Sequence, residues 1–410
     1  MSAELPLEGS AAVSMPTRRR SLAGLLAATG ALLAGCSNNP NYFSSMPSLN
    51  QAAQPPGAPL PQTTLGSGQV KVALILPLSA GGNAGLAGQA MRNAAEMAFA
   101  EFNANIQLLV KDDAGTADGA RLAAEQAINE RAEIIVGPLF AQSVGVVGQI
   151  ARARNIPVIA FSTDTNVATS GVYLLSFLPE SDVRRIVQYA SSNGKRSYAA
   201  LIPDNAYGTV VEAAFKQDLA RRGGRIVALE RYTHDKAAMA APIRAIALAA
   251  VRAEAIFIPD GGDAAPDVAQ GLVANGVNPK RVQLLGTGLW EDDPHISATA
   301  VLNGAWYVAP DPTGYRNFAA RYRARFKQEP QRTATLAYDA VALVAALVKT
   351  KGPERFSPEV LTNPSGFSGI NGLFRFRADG TNERGLAVLR VTPQGGQIIS
   401  PAPRSFGASG

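Results

Sequence analysis

The stretch that decides the fold is residues 75–88, ILPLSAGGNAGLAG. It follows the apolar run VKVAL and precedes AMRNAAEMAFAEF, in which apolar residues recur at helical spacing. The order strand, glycine-rich loop, helix is typical of open α/β sheets, and it is also the order of nucleotide-binding turns. The stretch therefore has two interpretations: a loop that holds a phosphate, or a loop that only lines a cleft.

The spacing of the glycines argues against the phosphate interpretation. A Walker loop requires GxxxxGK[ST], but Gln89 and Ala90 follow Gly88 in this chain. The dinucleotide fingerprint requires GxGxxG, and no three of the glycines at 81, 82, 85 and 88 have that spacing. The loop is therefore predicted to line a site with backbone N–H groups, without being a phosphate loop.

Strand-like and helix-like segments alternate from Val70 onward. The apolar runs, such as AEIIVG and IPVIAF, are nearly continuous in valine, isoleucine and leucine, which is typical of parallel strands covered on both faces. The series restarts after Pro179 and ends in two consecutive helical segments and two late strand-like runs. We therefore predict an α/β fold of two open parallel-sheet lobes, between which the chain crosses more than once.

The composition is that of an ordinary globular protein. Of the 410 residues, 47% are hydrophobic and 17% are charged, which allows ample core for two lobes. The formal net charge is +6, an excess too modest and too spread out to indicate nucleic acid as a partner. The basic aromatic segment GYRNFAARYRARFKQEP has Phe318, Tyr322 and Phe326 on one helical face. A packed face is favoured there over a partner-binding surface.

Residues 18–36, RRRSLAGLLAATGALLAGC, predict a lipoprotein signal peptide. A basic region is followed by an apolar segment too short to span a bilayer comfortably, and then by LAGC, which matches the bacterial lipobox. Cys36 is therefore predicted to be diacylated, after which residues 1–35 are removed, and a buried leftover cysteine is the less favoured alternative. Met15 directly precedes PTRRR and is an alternative start.

Residues 36–69 are predicted to be a disordered tether, because residues 37–68 contain no charge and are rich in proline, serine, asparagine and glutamine. The lipid would anchor the protein to a membrane on the periplasmic side. Ser37 is not the aspartate that retains lipoproteins at the inner membrane of enteric bacteria. The outer membrane is therefore the predicted location.

The sequence carries no catalytic constellation, so we predict a protein that is not an enzyme and needs no cofactor or metal. His234 and His295 are the only histidines. The run EDDPH at residues 291–295 fits either a metal cluster or a loop that caps the next helix, and capping is favoured. The SxxK pattern at Ser192 lacks the companion motifs of penicillin-recognising enzymes, and there is no GxSxG.

Five segments, taken in order, resemble the leucine-binding family of type I periplasmic binding proteins: VKVALILPLSAGGNAGLAGQAMRNAAEMAF, EIIVGPLFAQSV, IPVIAFSTDTN, PDNAYG and LAYDAVALVAAL. The resemblance implies two lobes joined by three crossings at a hinge, with a ligand cleft between them. It places lobe one at residues 70–177 and 309–368, and lobe two at residues 178–308 and 369–392. Residues 393–410 are assigned to a flexible tail.

The same resemblance implies which residues hold a ligand carboxylate in amino-acid-binding relatives. They follow the third and fourth strands of the first lobe and are Leu139, Phe140, Ala141 and Ser143, and Ser162, Thr163 and Asp164. Ser143, Ser162 and Thr163 suit a carboxylate, although helix capping explains them equally well. Asp164 would repel a carboxylate. Ser79, Tyr207 and Trp290 complete the cleft candidates.

The second lobe departs from those relatives, which grip an ammonium group with an aromatic residue and an acid. The segment IPDGGDAAP contains no aromatic residue, and Thr287 to Leu289 stand where the acid is expected. Asp260 or Glu291 are the possible substitutes. Because a buried ammonium without its partner costs several kcal/mol, a missing acid counts strongly against an amino-acid ligand.

The lipobox, the tether and the VGPL segment also resemble the lipoprotein activators of penicillin-binding proteins. By that resemblance the protein regulates a penicillin-binding protein in peptidoglycan synthesis. The alternative is the substrate-binding component of an ABC transporter for branched-chain amino acids or a similar solute, with a permease as partner. The cleft separates the two, since a receptor needs charge-matched groups in both lobes.

Overall fold

The computed structural model describes residues 63–406. The predicted signal peptide, Cys36 and the tether as far as residue 62 lie outside the described residues, as do residues 407–410. Within residues 63–406, no helix is long and apolar enough to cross a membrane.

The first lobe is built on a six-stranded sheet. Its strands are β1 Thr63–Leu65, β2 Val70–Leu76, β3 Ile106–Asp112, β4 Ile134–Val136, β5 Val158–Ala160 and β6 Val172–Leu174. They lie in the order β1-β3-β2-β4-β5-β6, and all neighbouring pairs are parallel except β1 with β3. Strand β2 is buried on both faces: Leu74 packs into one core cluster and Ile75 into another. This double burial explains its continuous apolar run.

The second lobe is built on a seven-stranded sheet. Its parallel strands are β7 Ser197–Pro203, β8 Arg225–Tyr232, β9 Ala255–Phe257, β10 Gln283–Leu285 and β11 Trp306–Ala309. A small antiparallel sheet follows in the chain, with β12 Phe367–Gly369, β13 Gly372–Phe376 and β14 Asn382–Arg384. Then β15 Ala387–Thr392 and β16 Gly395–Ser400 extend the second sheet, in the order β16-β15-β11-β10-β9-β7-β8.

Helices cover both sheets. In the described residues they are α1 Gly82–Phe102, α2 Ala117–Asn129, α3 Ala141–Arg152, α4 Pro179–Ser192, α5 Ala206–Arg221, α6 Lys236–Ala249, α7 Ala264–Ala274, α8 Pro294–Ala298, α9 Pro312–Phe326, α10 Ala334–Thr350 and α11 Pro358–Leu361. Local capping fixes where several begin, since Thr116, Asn205 and Asp235 accept backbone N–H bonds in the first turns of α2, α5 and α6. By contrast, α1 and α3 begin without a side-chain cap.

The two lobes repeat one strand order, β3-β2-β4-β5-β6 in the first and β8-β7-β9-β10-β11 in the second. The chain crosses between the lobes after β6, between β11 and α9, and between β14 and β15. The predicted α/β fold of two parallel-sheet lobes is confirmed, because both sheets are parallel in their central strands and each has its own core.

The chain makes its last crossing between the lobes later in the sequence than predicted. Residues 369–392 were assigned to the second lobe, but Phe374 and Phe376 of β13 lie in the core of the first lobe. The Phe376 ring packs against Tyr173 of β6 with their centroids 5.4 Å apart. The chain therefore passes to the second lobe only after β14, because two large aromatic side chains hold β13 against the first.

Two segments predicted to be flexible contribute edge strands. Residues 395–400 of the supposed tail form β16, which pairs with β15, and residues 63–65 of the supposed tether form β1, which pairs with β3. Both strands are short and largely polar or glycine-containing, so neither has an apolar pattern of its own. Their backbone hydrogen bonds depend on a neighbouring strand, which local sequence does not reveal.

The basic aromatic helix α9 packs as predicted. Phe318 and Tyr322 are buried in the core of the first lobe, and Phe326 packs against the same cluster. Arg316 and Arg323 on the other side are exposed. The aromatic face is therefore an ordinary packed helix face.

Candidate functional site

Both sheets reverse their strand order at the same relative place, between β2 and β4 in the first lobe and between β7 and β9 in the second. In open α/β sheets, ligands bind outside the carboxyl ends of the strands at such a point. The loops that meet this description are residues 77–81, 137–140 and 161–164 in the first lobe, and residues 204–205, 258–263 and 286–288 in the second. We call the space that they line the interlobe cleft.

Close packing explains the glycine-rich loop. A Cβ atom at Gly85 would lie 2.0 Å from the carbonyl oxygen of Ala80, and one at Gly88 would lie 2.7 Å from that of Pro77. Both distances are shorter than real Cβ contacts, so these positions exclude any side chain. The glycines thus allow the first turns of α1 to lie directly against the loop, and this role requires no phosphate.

Ser79 lies in the same loop and has an unused polar group. Its backbone N–H donates to Asp112 Oδ1 at 3.2 Å. Its hydroxyl oxygen is buried and has no hydrogen-bond partner among residues 63–406. A buried hydroxyl without a partner is unfavourable, so Ser79 is a candidate to bond a water or a ligand in the cleft.

The other first-lobe hydroxyls are used within the lobe. Ser143 is fully buried in the first turn of α3, and its hydroxyl donates to the carbonyl oxygen of Thr116 at 3.4 Å. Ser162 accepts the backbone N–H of Asp164 at 3.1 Å, and Asp164 in turn accepts that of Asn166 at 3.0 Å. Of these residues only Asp164 is a cap, at the start of the short turn Thr165–Val167. The Ser143 hydroxyl bonds a carbonyl of another segment and caps no helix.

The remaining first-lobe candidates contribute mainly backbone. Leu139 is buried in the core, Phe140 packs against that core, and Ala141 is the first residue of α3. Thr163 is half-buried. Because α3 has no side-chain cap, the N–H groups of its first turn are the most suitable donors for a negatively charged group at this end of the sheet.

Asp260 is the centre of a buried network in the second lobe. It is 2% exposed, and its Oδ2 accepts the hydroxyl of Tyr232 at 2.5 Å and lies 2.8 Å from His234 Nε2. Its Oδ1 accepts the backbone N–H of Gly261 at 2.9 Å. Burial, followed by the charge of Asp260, raises the pKa of Tyr232 above its usual value, so the phenol stays a donor. Both carboxylate oxygens are therefore already bonded within the lobe.

Trp290 is buried beside Asp260 and bonds its backbone. It is 2% exposed, and its indole N–H donates to the carbonyl oxygen of Asp260 at 2.7 Å. Its ring lies so close to Gly286 that a Cβ there would come within 2.2 Å of the ring. The indole face is therefore buried against the protein's own backbone and is not presented to a ligand.

Glu291 is also bonded within the second lobe. Its Oε2 accepts the hydroxyl of Tyr307 at 2.7 Å, and burial raises the pKa of the carboxyl group. Arg332 opposes that rise, which indicates that it lies close to Glu291. In the following loop, Asp293 caps α8 by accepting the N–H of His295 at 2.9 Å, which corresponds to the capping interpretation of EDDPH.

Tyr207 and Asp182 contact Thr287 and Gly288, two of the three residues that stand where an acid is expected. The Tyr207 hydroxyl lies 3.0 Å from Thr287 Oγ1, and Asp182 Oδ2 accepts the N–H of Gly288 at 2.9 Å. Asp182 was missed in the sequence, because an aspartate in the first turn of a helix is common for electrostatic reasons alone. Burial raises its pKa to about 7.

Asp182→Asn should change how stability depends on pH. The folded protein keeps a proton on Asp182 up to about pH 7, whereas an unfolded aspartate releases it near a pKa of about 3.9. The folded state therefore binds more protons in this window, and this carboxyl reduces wild-type stability as the pH rises. Relative to wild type, the variant should gain up to about 4 kcal/mol of unfolding free energy between pH 4 and pH 7.

Urea unfolding of both proteins across that pH range measures this gain. Asp118→Asn, at a side chain that is 95% exposed, is the control and should run parallel to wild type. Parallel curves for Asp182→Asn would contradict the buried, protonated state.

Side chains of the two lobes also contact each other across the cleft. Arg332, just before α10, pairs with Asp292 of the second lobe at 3.1 Å, and its guanidinium lies over the Tyr315 ring. Thr165 of the first lobe donates to Glu180 Oε1 at 3.0 Å. No local pattern points to these contacts, because the two partners of each are separated in the chain.

Known proteins of similar sequence or structure cover most of the described residues. A family model described as "Periplasmic binding protein" matches residues 69–397. A solved putative branched-chain amino acid ABC transporter protein from Rhodospirillum rubrum has a TM-score of 0.72 and 20% identity, covering 80% of this chain and 99% of that one. A solute-binding protein from R. palustris in complex with benzoate has a TM-score of 0.56 and 19% identity, covering 82% and 98%. Identities this low establish likeness of fold alone.

Curated relatives match over shorter segments. The penicillin-binding protein activator LpoA of Vibrio cholerae is 28% identical over 107 residues, which is 25% of this chain and 18% of the relative. An uncharacterised protein of Rickettsia prowazekii is 22% identical over 124 residues, which is 30% of this chain and 33% of that protein. The chain thus matches a third or less of the length of these relatives.

Proposed function

Since this chain belongs to the family of periplasmic binding proteins, we propose that it is a non-enzymatic lipoprotein that regulates a penicillin-binding protein in peptidoglycan synthesis. The proposal includes a lipid anchor at Cys36 in the outer membrane. The folded body would reach its partner on the periplasmic side through the tether before Val70. Binding of a free amino acid is not part of this role.

The observation that carries the proposal is the state of the second-lobe acids. An amino-acid receptor needs a carboxylate free to pair with the ligand ammonium, because an unpaired buried ammonium costs several kcal/mol. Asp260 already accepts bonds from Tyr232 and Gly261 and lies beside His234, and Glu291 accepts one from Tyr307. Both oxygens of Asp260 thus have partners already, and Glu291 shares its carboxylate with Tyr307 and lies close to Arg332.

The partial similarity to LpoA supports a penicillin-binding protein as the partner. That relative is named as an activator of penicillin-binding proteins, and the shared segment covers 107 residues. The lipobox at LAGC and the uncharged segment that follows are consistent with a membrane-tethered regulator. A regulator of this kind needs a surface for its partner and does not need a charged cleft.

The proposal is tested by peptide cross-linking with a purified penicillin-binding protein and its lipid-linked substrate. Adding the full-length chain should raise the rate of cross-linking in a saturable way. A solute-binding protein of the same fold, such as the Rhodospirillum protein, controls for non-specific protein effects and should leave the rate unchanged. A rate that is equal with and without this chain for every penicillin-binding protein of its host would refute the regulatory role.

A second candidate is the substrate-binding component of an ABC transporter for a small solute. It is favoured by two buried polar atoms that have no partner among the described residues. Ser79 Oγ lies in a cleft loop, and Glu180 Oε2 belongs to a side chain bonded to Thr165 beside another. A polar solute could bond these atoms, so the choice between the candidates rests on whether the purified protein binds one.

A further inference from the structure

A cavity of about 390 Å³ lies away from the cleft loops, where the second-lobe helix α4 meets strand β14 and the carboxyl-terminal segment 401–406. Helix α4 contributes Ser181, Arg184, Arg185 and Gln188, whose spacing places them on one helical face. Four arginines and one carboxylate line the cavity: Arg184, Arg185, Arg375, Arg384 and Glu383. Positive charge therefore exceeds negative charge in its walls.

The carboxylate is already neutralised by its neighbours. Glu383 Oε2 accepts Arg375 at 2.9 Å and Arg377 at 3.1 Å. Arg375 also donates to the carbonyl oxygen of Pro364 at 3.0 Å and lies over the Phe406 ring. Glu383 is thus paired with Arg375 and Arg377, and it does not neutralise Arg184 and Arg185 of α4.

Two further arginines are held in place by neutral groups. Arg185 donates to the carbonyl oxygen of Leu386 at 2.9 Å and to the Ser400 hydroxyl at 2.8 Å. Arg384 donates through Nε to the carbonyl oxygen of Ser176 at 2.8 Å, and its guanidinium lies over the Phe177 ring. Buried Asp182 and Asp339 act on Arg384 electrostatically. The guanidinium groups are therefore positioned before any ligand arrives.

Arg184 is the arginine of the cavity whose guanidinium has no bonding partner among residues 63–406. It is half-buried, and among residues 63–406 it makes no hydrogen bond and no ion pair. Burial and then the charge of Arg377 lower its pKa, while the acids Asp218 and Glu383 oppose this. Asp218 pairs with Arg221 at 3.7 Å. A partly desolvated guanidinium without a partner is unfavourable, so a bound anion would stabilise it.

We propose that this cavity is an anion-binding site for a phosphate-bearing group, with Arg184 as its principal contact and Arg185 as a second donor. Guanidinium groups present paired N–H donors that match the oxygens of phosphate, and a fixed guanidinium loses little freedom on binding. The volume of about 390 Å³ admits a phosphate with a small substituent. Both lobes line the cavity, so the bound anion would also bridge them beside the hinge.

The test uses the full-length chain with Cys36→Ser, which removes the predicted acylation site, and two probes that separate the sources of phosphate. Inorganic pyrophosphate is titrated by calorimetry. Vesicles of phosphatidylglycerol are compared with vesicles of phosphatidylcholine by co-sedimentation. Arg184→Gln should weaken binding at least tenfold, and Arg252→Gln, which removes an exposed arginine elsewhere, should change it by less than about twofold.

Each outcome decides the proposal. Saturable pyrophosphate binding that depends on Arg184 supports a free phosphate compound, and binding confined to phosphatidylglycerol with the same dependence supports a lipid headgroup. No binding to either probe, or equal binding by Arg184→Gln and wild type, overturns it. Arg184→Lys keeps the charge without the paired donors, so its intermediate affinity with an unchanged melting temperature would exclude a folding defect as the cause.

Discussion

Asp260→Ala is expected to lower the free energy of unfolding by about 3–5 kcal/mol. The alanine would leave the Tyr232 hydroxyl and the Gly261 N–H without their acceptor in a site where Asp260 itself is 2% exposed. His234 would lose a contact of 2.8 Å. Buried donors without a partner are costly because water cannot replace the lost acceptor. Denaturation by urea, followed by circular dichroism, measures the loss.

Asp263→Ala is the matched control, because this neighbouring carboxylate is 83% exposed and only 3.5 Å from His295. Its removal should cost less than about 1 kcal/mol. Asp260→Asn retains an acceptor oxygen and should fall between the two. If Asp260→Ala cost no more than the control, Asp260 would not be bound to its own lobe and would be free to meet a ligand.

Cys36→Ser is expected to release the protein from the membrane almost completely. Without the thiol there is no site for the diacyl group, which is the predicted anchor. Fractionation of cells followed by immunoblotting compares the variant with wild type. Metabolic labelling with palmitate should mark wild type and leave the variant unlabelled.

Ser37→Asp tests which membrane the lipoprotein is sorted to and leaves the acylated cysteine in place. In enteric bacteria this substitution should move the lipidated protein from the outer to the inner membrane, while labelling by palmitate persists. A wild-type protein that is soluble and unlabelled would show that the lipobox interpretation is wrong.

The parts of the fold that could be predicted from the sequence are those that local pattern controls. The run VKVALIL predicts a strand covered on both faces, and β2 is buried on both. Phe318 and Tyr322 recur at helical spacing and are buried on one face of α9. The glycine spacing argued against a phosphate loop, and the close contacts of Gly85 and Gly88 explain the glycines by packing.

The parts that could not be predicted depend on partners distant in the chain. The residues around Asp260 in the sequence do not indicate that Tyr232 donates a hydrogen bond to it. The sequence of β13 likewise does not indicate that Phe376 packs against Tyr173. Arg184 has the same appearance as any arginine on a surface helix until β14 and residues 401–406 are brought beside it. A side chain's availability for a ligand is a property of the folded network, which sequence spacing does not encode.

The central claim is that Asp260 and Glu291, the two acids that could replace the expected ammonium partner, already have partners within the protein. Titration calorimetry of leucine, isoleucine and valine into the full-length chain with Cys36→Ser tests it most directly. We predict no dissociation constant tighter than about millimolar, because the unmatched ammonium removes several kcal/mol of binding free energy. A micromolar dissociation constant for any of the three would contradict the account and favour the transporter receptor.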